Sequence, residues 1–330
     1  MKDFGSAWIQ KEIRICLIKF LIAKNLILDL KESILIVGGT GFIGYHLAKK
    51  SLTKGWQVTS ISSKPPKKIR YLPKVKYILC DITKKKSLKK NIKKTFNYVV
   101  NLGGYVDHIN KKKTFKSHYI GCKNLTEIFL KKTPTAFVQM GSSGEYGRSQ
   151  SPQNENSTCN PESIYSQAKL LSSKHLINLF EKKNFPVTIL RLYQAYGPKQ
   201  DFNRLIPIVI KACIKNKKFP CSHGNQLRDF LYIDDVVDAI LKTLKSKKAR
   251  GQIINIGTGE PKKIKKIIEY IKNNLKGGYP QFGKIKLRKD EILKIYPNIK
   301  KAKNKINWIP KISFDKGLKL TIKSYNEQSI

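Results

Sequence analysis

A tyrosine and a lysine in this chain are spaced so that their side chains could move a proton together. Tyr165 and Lys169 stand four residues apart in a stretch with helical spacing, so both would project from one helix face, one turn apart. A phenol is a poor base at neutral pH, but a nearby ammonium group favours the phenolate and so promotes proton transfer. Ser142 ends the preceding predicted strand, and its hydroxyl could hold the oxygen of a substrate beside the phenol.

The tyrosine–lysine spacing alone is weak evidence, because lysine is abundant in this chain. Three other pairs share the spacing: Tyr45 with Lys49, Tyr119 with Lys123, and Tyr296 with Lys300. Only Tyr165 and Lys169 lie on a predicted helix that follows a strand ending in serines. This context, rather than the pattern itself, predicts a catalytic pair.

A glycine-rich turn joins a buried strand to a helix near the start of the chain. Residues 34–37 are apolar and largely β-branched, which predicts a strand buried on both faces. Gly38 permits a sharp turn off the strand, Gly41 permits close approach of backbone N–H groups to a pyrophosphate, and Gly44 permits close packing of the helix. Phosphates would lie at the helix N-terminus, where unpaired N–H groups favour anions. An ordinary glycine-rich turn is the alternative, but the flanking strand and helix favour a dinucleotide site.

Strands and helices alternate along residues 33–192, and this order predicts an α/β fold with a doubly wound parallel (Rossmann) sheet. Beyond residue 192 the alternation weakens, so we expect residues 193–330 to form mainly a smaller C-terminal substrate-binding lobe. Segments around residues 228–257 are expected to return to the Rossmann core. The chain is long enough for two such lobes to share one cleft.

Residues 1–32 precede the first core strand and are predicted to form an N-terminal helical extension. Their apolar residues follow an approximate helical stripe that lysines interrupt. The apolar stretch is too short and too charged to span a bilayer, and no signal-peptide cleavage site follows it. We expect a helix packed on the body of the protein, with a helix lying on a membrane surface as the alternative.

The formal net charge of +44 suggests an anionic partner, but lysine supplies nearly all of it. Sites that read nucleic-acid bases or grip phosphates with two bonds rely on arginine, and only eight arginines are present. The lysines occur in every segment rather than in one stripe. We therefore expect no specific nucleic-acid function and no membrane binding, although a positive field would speed the arrival of an anionic substrate.

The six cysteines are scattered, without C-x-x-C pairs or a spacing of cysteine and histidine that suits a metal. This pattern predicts free thiols in a reducing compartment, and therefore a cytoplasmic protein. Neither disulfides nor a metal ion are expected.

The chain resembles the extended short-chain dehydrogenases/reductases of the nucleotide-sugar epimerase/dehydratase family, from about residue 34 to about residue 320. The glycine spacing G-x-x-G-x-x-G and the tyrosine–lysine pair carry this resemblance, together with residues 191–198 and 226–236. The resemblance implies hydride transfer between NAD or NADP and a nucleotide-diphosphate sugar, in a homodimer.

The resemblance also implies roles for individual residues. The implied catalytic residues are Ser142, Tyr165 and Lys169. The implied cofactor-binding residues are Gly38, Gly41, Phe42, Ile43, Gly44, Ser62, Lys64, Asp81, Ile82, Leu102, Gly103, Gly104, Tyr165 and Lys169. The implied substrate-binding residues are Ser142, Ser143, Gln194, Arg204 and Arg228, with the Arg228 fork suited to a diphosphate.

Departures from the family pattern narrow the choice of reaction. Sugar 4,6-dehydratases typically carry an acidic residue just after the catalytic hydroxyl, because elimination of water needs a second acid/base pair. Ser143 and Gly144 stand at those positions, and Glu145 comes one place later and would point elsewhere. This argues against a dehydratase. Gln194 stands where the family usually has asparagine, which leaves that contact to the nucleotide sugar open.

The end of the second predicted strand bears on the choice of cofactor. Members of the family that bind NAD have an aspartate there for the ribose 2′-hydroxyl, whereas this chain has Ser62, followed by Ser63 and Lys64. Without the carboxylate, and with a cation nearby, a 2′-phosphate becomes acceptable. We therefore favour NADP over NAD, with the alternative that Lys64 only reflects the abundance of lysine.

These observations predict hydride transfer at C4 of the sugar, by a 4-keto reductase or a 4-epimerase. An NADP preference favours the reductase, because an epimerase regenerates its own cofactor. The alternatives are a 4,6-dehydratase, or a non-catalytic Rossmann protein that binds a dinucleotide without chemistry.

Overall fold

Strands and helices alternate through most of the computed structural model, which describes residues 31–105, 110–287 and 291–327. In chain order the strands are β1 (Ser33–Val37), β2 (Gln57–Ser62), β3 (Lys76–Leu79), β4 (Tyr98–Asn101), β5 (Ala136–Ser142), β6 (Val187–Leu192), β7 (Gln194–Tyr196), β8 (Lys218–Pro220), β9 (Leu227–Arg228), β10 (Phe230–Tyr232), β11 (Gln252–Ile256), β12 (Lys262–Lys263), β13 (Tyr279–Gln281) and β14 (Lys294–Ile295). The α-helices are α1 (Phe42–Thr53), α2 (Lys85–Asn91), α3 (Lys111–Phe115), α4 (Gly121–Phe129), α5 (Ile164–Lys183), α6 (Leu205–Ile214), α7 (Ile233–Lys245), α8 (Ile264–Leu275), α9 (Lys300–Ile306) and α10 (Phe314–Asn326).

Seven strands form the central sheet, in the order β11-β6-β5-β4-β1-β2-β3. Every neighbouring pair in this sheet is parallel. The chain winds outward from β1 to β3 and then in the opposite direction from β4 to β6, so the winding reverses between β1 and β4. Ligands of such sheets bind outside the carboxyl ends of the strands at this reversal. The predicted doubly wound parallel sheet is confirmed.

Strand β1 is buried on both faces, because its alternate residues enter two different cores. Ile34 and Ile36 pack with residues of α1 and α7 on one side of the sheet. Leu35 and Val37 pack with residues of α2, α4 and α5 on the other side. Helices on both faces explain why the strand reads as a continuous apolar run.

One long helical stretch differs from its sequence-based bounds. The sequence pattern predicts a helix over residues 115–131, but α3 begins at Lys111 because the side chain of Asn110 accepts a hydrogen bond from Lys113 N at 2.9 Å and caps it. Lys116–Ile120 then form a π-helical turn between α3 and α4. Such turns are rare, and they occur frequently at functional sites.

Strand β5 continues beyond Met140, where its apolar pattern ends, and reaches Ser142. Gly141 and Ser142 continue the strand because they pair with Arg191 and Leu192 of β6. Pairing with a neighbouring strand thus extends β5 to the serine that is a catalytic candidate.

The second half of the chain adds three small sheets to the central one. These pair β7 with β10, β8 with β13, and β9 with both β12 and β14. The segment after residue 299 contains α9 and α10, and its Trp308 is fully buried. Strand β11 joins the central sheet beside β6.

Several sequence-based expectations concern the whole chain. The five cysteines in the described residues are free thiols, and four of them are buried. Among these same residues no helix is long and apolar enough to cross a membrane, and no group of three or more metal-ligating side chains is present. Residues 1–30 of the predicted N-terminal extension, with Cys16, lie outside the described residues.

Candidate active site

The turn after β1 is held by its glycines in the conformation that the sequence predicted. Gly38 has a φ of +80°, a left-handed conformation that favours glycine. Gly41 N donates to Gly38 O at 3.0 Å and closes the turn. A Cβ on Gly44 would lie only 2.4 Å from Gly38 O, so this position needs glycine for the helix to pack against the turn.

The N-terminus of α1 offers backbone donors to an anion. Gly41 is the N-cap residue, and no described side chain caps this helix. The first intrahelical bond runs from Tyr45 N to Gly41 O at 2.9 Å, and the first turn contains no acidic residue. Uncapped N–H groups and the helix dipole together favour a phosphate. The residues therefore fit the pyrophosphate of a dinucleotide.

The other cofactor candidates lie along the same carboxyl edge of the sheet. Thr40 N donates to Ser62 Oγ at 3.3 Å, so the glycine-rich turn contacts the end of β2. Lys64 follows as an exposed residue. Leu102 N donates to Val37 O at 2.9 Å and keeps the residues after β4 beside β1.

The residues after β3 and β4 are fixed by local contacts. Asp81 Oδ1 accepts a hydrogen bond from Thr83 N at 2.9 Å, which holds the turn after β3. Ile82 is buried, and its Cδ1 would lie 3.2 Å from a Cβ on Gly103. Gly104 is even more confined, because a Cβ there would lie 1.8 Å from the imidazole of His118. The structure thus brings the ends of β1, β2, β3 and β4 together at one edge.

Lys169 is buried on the inner side of α5, with only 4% of its surface exposed. Its Nζ donates to Met140 O at 2.7 Å and lies 5.9 Å from the centre of the Tyr165 ring. A buried ammonium group requires such a partner. The carbonyl of β5 therefore fixes the charge of Lys169 one turn from the phenol.

Tyr165 stands in the first turn of α5, which Ser163 caps by accepting a hydrogen bond from Ser166 N at 3.2 Å. Ser166 Oγ would lie 2.5 Å from a Cβ on Gly144, and Ser142 Oγ would lie 3.4 Å from it. The first turn of α5 therefore packs directly on the short 3₁₀ turn that follows Ser142. The three catalytic candidates come from β5 and α5 at one end of the sheet.

His118 was not among the residues singled out from the sequence. It lies on the π-helical turn, is 6% exposed, and packs edge-on against the Tyr165 ring, with 4.9 Å between ring centres. Ser172 Oγ of α5 donates to its backbone carbonyl at 2.9 Å. Neither the π-helical turn nor this packing leaves a signal in the local sequence. The contact of His118 with Tyr165 is therefore seen only in the folded chain.

Glu145 points into the interior of the protein, whereas its spacing predicted only a direction different from that of a dehydratase acid. Its Oε1 accepts a hydrogen bond from Ser142 N, and its Oε2 accepts from Arg191 Nε and Ser173 Oγ. The side chain is fully buried. Burial also raises the pKa of the neighbouring Tyr146 to about 12, although Arg191 acts in the opposite direction. Glu145 therefore stabilises the core and the 3₁₀ turn, and its carboxylate does not lie on the outer face of that turn.

Three substrate candidates line one cleft of about 290 Å³. Gln194, Arg204 and Arg228 come from β7, from the residue before α6, and from β9. Arg228 also donates to Leu227 O at 3.0 Å and forms an ion pair with Glu291. Ser142 and Ser143 do not line this cleft but end β5 and begin the 3₁₀ turn. Glu291, a wall of the cleft, was not assigned to the site from the sequence.

Another cavity, of about 1200 Å³, lies elsewhere, between α1, α7 and residues 304–312. Lysines and aspartates line much of it, and it contains none of the three catalytic candidates. This cavity therefore does not coincide with the candidate catalytic residues at the carboxyl edge of the sheet.

Comparisons with known proteins agree with this geometry. The sequence model of the NAD dependent epimerase/dehydratase family matches residues 34–257. The chain is similar to a putative UDP-glucose 4-epimerase of Methanocaldococcus jannaschii, 29% identical over 300 residues that make up 88% of this chain and 97% of the relative. It is 25% identical to a CDP-abequose synthase of Salmonella muenchen over 301 residues, again 88% of this chain and 97% of the relative. A crystal structure of a UDP-glucose 4-epimerase from Thermotoga maritima with UDP-glucose superposes with a TM-score of 0.86 at 25% identity, covering 90% of this chain and all of that one.

Proposed function

Because the chain belongs to the NAD dependent epimerase/dehydratase family, we propose that it transfers a hydride at C4 of a nucleotide-diphosphate sugar. The observation that carries the proposal is the fixed position of Lys169. Its ammonium group is bound to Met140 O and lies one helical turn from Tyr165, on the helix that packs on the end of β5. The two modes of reaction are reduction of a 4-keto sugar and epimerisation at C4.

Tyr165 and Ser142 act on the sugar oxygen at C4. Tyr165 takes the proton from this oxygen or returns it, with the Lys169 ammonium group 5.9 Å from the centre of its ring. Ser142 Oγ binds the same oxygen and keeps it beside the phenol. A dinucleotide, when bound, would supply or accept the hydride at its nicotinamide. Catalysis by the protein is therefore proton transfer and positioning.

The dinucleotide is held along the carboxyl edge of the sheet. The uncapped N-terminus of α1, with Gly41, Phe42, Ile43 and Gly44, would hold its pyrophosphate. The ends of β3 and β4 supply the remaining contacts through Asp81, Ile82, Leu102, Gly103 and Gly104. Lys169 would also hold the ribose next to the nicotinamide.

We favour NADP as the cofactor, although the family is described as NAD dependent. Ser62 ends β2 and its hydroxyl accepts from Thr40 N, so no carboxylate stands at this strand end to bind the ribose 2′-hydroxyl. Lys64 is exposed two residues later and can meet a 2′-phosphate. Titration of dialysed protein with NAD and NADP tests this preference, and tighter binding of NAD would reverse it.

The nucleotide diphosphate binds in the cleft that Gln194, Arg204 and Arg228 line. A guanidinium fork can bind two phosphate oxygens at once, which suits Arg228 to this task. The diphosphate then competes with Glu291 for Arg228. The Thermotoga maritima relative was solved with UDP-glucose, which supports a nucleotide sugar as the class of ligand.

Elimination of water is disfavoured, because Glu145 is engaged with Arg191 and Ser173 inside the protein. Ser143 and Gly144 carry no acid that could replace it. Dehydratases are among the relatives of this chain, but the acid/base pair that elimination needs is missing from these positions.

A homodimer is our further expectation for the assembled enzyme, based on the family alone. Light scattering behind size-exclusion chromatography measures the mass of the particle in solution. A mass of one 37.8 kDa chain would contradict this expectation without affecting the site.

Cofactor stoichiometry separates the two modes of reaction. A 4-keto reductase consumes one reduced dinucleotide per sugar formed, whereas a 4-epimerase interconverts two sugars without net change in the cofactor. Mass spectrometry of small molecules that co-purify with the protein identifies the dinucleotide and the nucleotide sugar to use. If a dinucleotide binds but no nucleotide sugar reacts, the chain is a non-catalytic binding protein instead.

A further inference from the structure

The segment of residues 198–204 connects the dinucleotide half of the protein to the substrate cleft. On one side His46 Nε2 of α1 donates to Pro198 O at 2.9 Å, and Arg70 Nε donates to Lys199 O at 3.0 Å. On the other side the segment ends at Arg204, which lines the cleft, and Arg204 N donates to Asp201 O at 3.3 Å. The same few residues therefore contact the loop after β2 and the cleft.

The backbone of this segment is held in an unfavourable conformation. Lys199 has a φ of +62°, which a residue other than glycine adopts only when its surroundings determine it. Its Nζ donates to Tyr45 OH at 2.8 Å. Contacts on both sides of Lys199 thus hold the segment in place, so that Asp201 has a defined position.

Asp201 binds two cations of the loop that follows β2. Lys67 Nζ lies 2.6 Å from its Oδ1, and Arg70 NH2 lies 3.0 Å from its Oδ2. Although partial burial acts in the opposite direction, the hydrogen bond from Lys67 and the charge of Arg70 lower the pKa of Asp201, so the carboxylate is charged at neutral pH.

The two cations differ in what they can do. The Arg70 side chain is 3% exposed and is also bound to Lys199 O, so it is part of the structure. The Lys67 side chain is 66% exposed and has Asp201 as its partner. Lys67 follows the end of β2 by five residues, in the loop that begins with Ser63 and Lys64. Residues at this strand end contact the adenosine ribose of a dinucleotide and distinguish its 2′-hydroxyl from a 2′-phosphate.

We propose that Asp201 determines the choice between NAD and NADP by competing with the 2′-phosphate for Lys67. This inference rests on the dinucleotide site proposed above. When NAD is bound, Lys67 stays with Asp201. When NADP is bound, the phosphate, with a charge of about −1.5 to −2 at neutral pH, attracts Lys67 more strongly than a single carboxylate does. Lys67 must then break its ion pair with Asp201, which costs free energy. The affinity for NADP is therefore lower than it would be without the Asp201 carboxylate.

The substitution Asp201→Asn tests the competition, because it removes the charge and keeps the shape. Arg70 retains its bond to Lys199 O in this variant, and circular dichroism checks that the fold is kept. Isothermal titration of the full chain with NAD and with NADP, at low ionic strength to limit screening, measures both affinities without turnover. We expect the ratio of NADP to NAD affinity to rise by a factor of about 1.5 to 5 in the variant, the range expected for an exposed ion pair.

Two further variants isolate the role of Lys67. In a Lys67→Met background, Asp201→Asn should leave the ratio unchanged, since the cation in dispute is gone. Glu127→Gln is the matched control, because Glu127 is a partly exposed carboxylate paired with a lysine, Lys85, away from this loop. It should leave the ratio as in the wild type.

The outcomes separate this inference from the proposed function. If the wild type binds a dinucleotide but Asp201→Asn does not change the ratio, or changes it equally without Lys67, the competition is refuted while the dinucleotide site stands. If the wild type binds neither dinucleotide, the proposed function fails and the competition fails with it.

Discussion

The carboxylate of Glu145 accepts a hydrogen bond from Arg191 at 2.9 Å, and both side chains are almost completely buried. Charges in such a pair stabilise each other only while both are present, because a single buried charge lacks solvation. Glu145 also caps the 3₁₀ turn after Ser142. One carboxylate thus stabilises both the buried ion pair and the turn that begins at Ser142, the candidate catalytic serine.

Replacing Glu145 by glutamine should therefore destabilise the protein. Loss of one member of a buried pair costs about 3–5 kcal/mol in the free energy of unfolding. Glu162→Gln is the matched control, because Glu162 pairs with Arg148 at the surface, where loss of a pair costs about 1 kcal/mol or less. Denaturant titration measures both. Equal stability of the two variants would contradict the structural role, and a folded Glu145→Gln protein that has lost its turnover would support acid/base chemistry at Glu145.

Tyr165→Phe should lower turnover by about 100- to 10,000-fold, since it removes the group that moves the proton. The affinity for the dinucleotide should stay nearly the same, because the ring and its packing remain. Tyr119→Phe is the control, as Tyr119 has a lysine at the same spacing, with Lys123 Nζ 5.7 Å from its ring centre. Steady-state kinetics and cofactor titration measure these effects. A variant at Tyr165 that retains full turnover would remove the phenol from the reaction.

Gly44→Ala should weaken dinucleotide binding about tenfold or more while most of the fold persists. The added methyl group would lie 2.4 Å from Gly38 O and would push α1 away from the turn that meets the phosphates. Gly55→Ala is the control, since a Cβ at Gly55 meets no atom within 4 Å. Its φ of +76° still makes alanine unfavourable by about 1–2 kcal/mol, so it should lose stability but keep its affinity. Equal affinities in the two variants would argue against a phosphate site at α1.

The stability of the protein should fall as the pH drops through about 6.5, the ordinary pKa of histidine. Burial lowers the pKa of His46, even though its hydrogen bond to Pro198 O acts in the opposite direction. The unfolded chain therefore binds a proton in a pH range in which folded His46 stays neutral, and the free energy of unfolding decreases until the lowered pKa is reached. Burial also lowers the pKa of His175, which adds to the same slope.

The variant His46→Gln should have a shallower pH dependence of stability than the wild type between neutral and mildly acidic pH. Glutamine can still donate to Pro198 O but does not titrate. Urea titrations at a series of pH values measure the slope. An unchanged slope would show that His46 does not titrate differently in the folded and unfolded states.

The parts of this protein that depend on neighbours in the sequence were predictable. The buried run of β1, the turn at Gly38 and the parallel sheet all follow from local pattern and connection rules. The pairing of Tyr165 with Lys169 also follows, because a helix fixes which residues share a face. The resemblance to a family then named the chemistry that these elements serve.

The parts that depend on contacts between distant segments were not predictable. His118 lies 47 positions before Tyr165, and Asp201 lies 134 positions after Lys67, yet each pair is in contact. The ion pair of Arg228 with Glu291 likewise joins residues 63 positions apart. Because the chain is so rich in lysine, no local sequence pattern predicts which cation pairs with which carboxylate. These partners are known only from the fold.

The central claim is that a hydride passes between the nicotinamide and C4 of a nucleotide sugar, and isotope transfer tests it most directly. The full chain is incubated with a reduced dinucleotide deuterated at the transferring position and a 4-keto nucleotide sugar, with the Tyr165→Phe variant in parallel. Magnetic resonance and mass spectrometry then locate the label. We expect deuterium at C4 of the sugar with the wild type and at most traces with the variant, for a reductase and an epimerase alike. A wild-type protein that binds the dinucleotide but leaves C4 without deuterium would contradict the account.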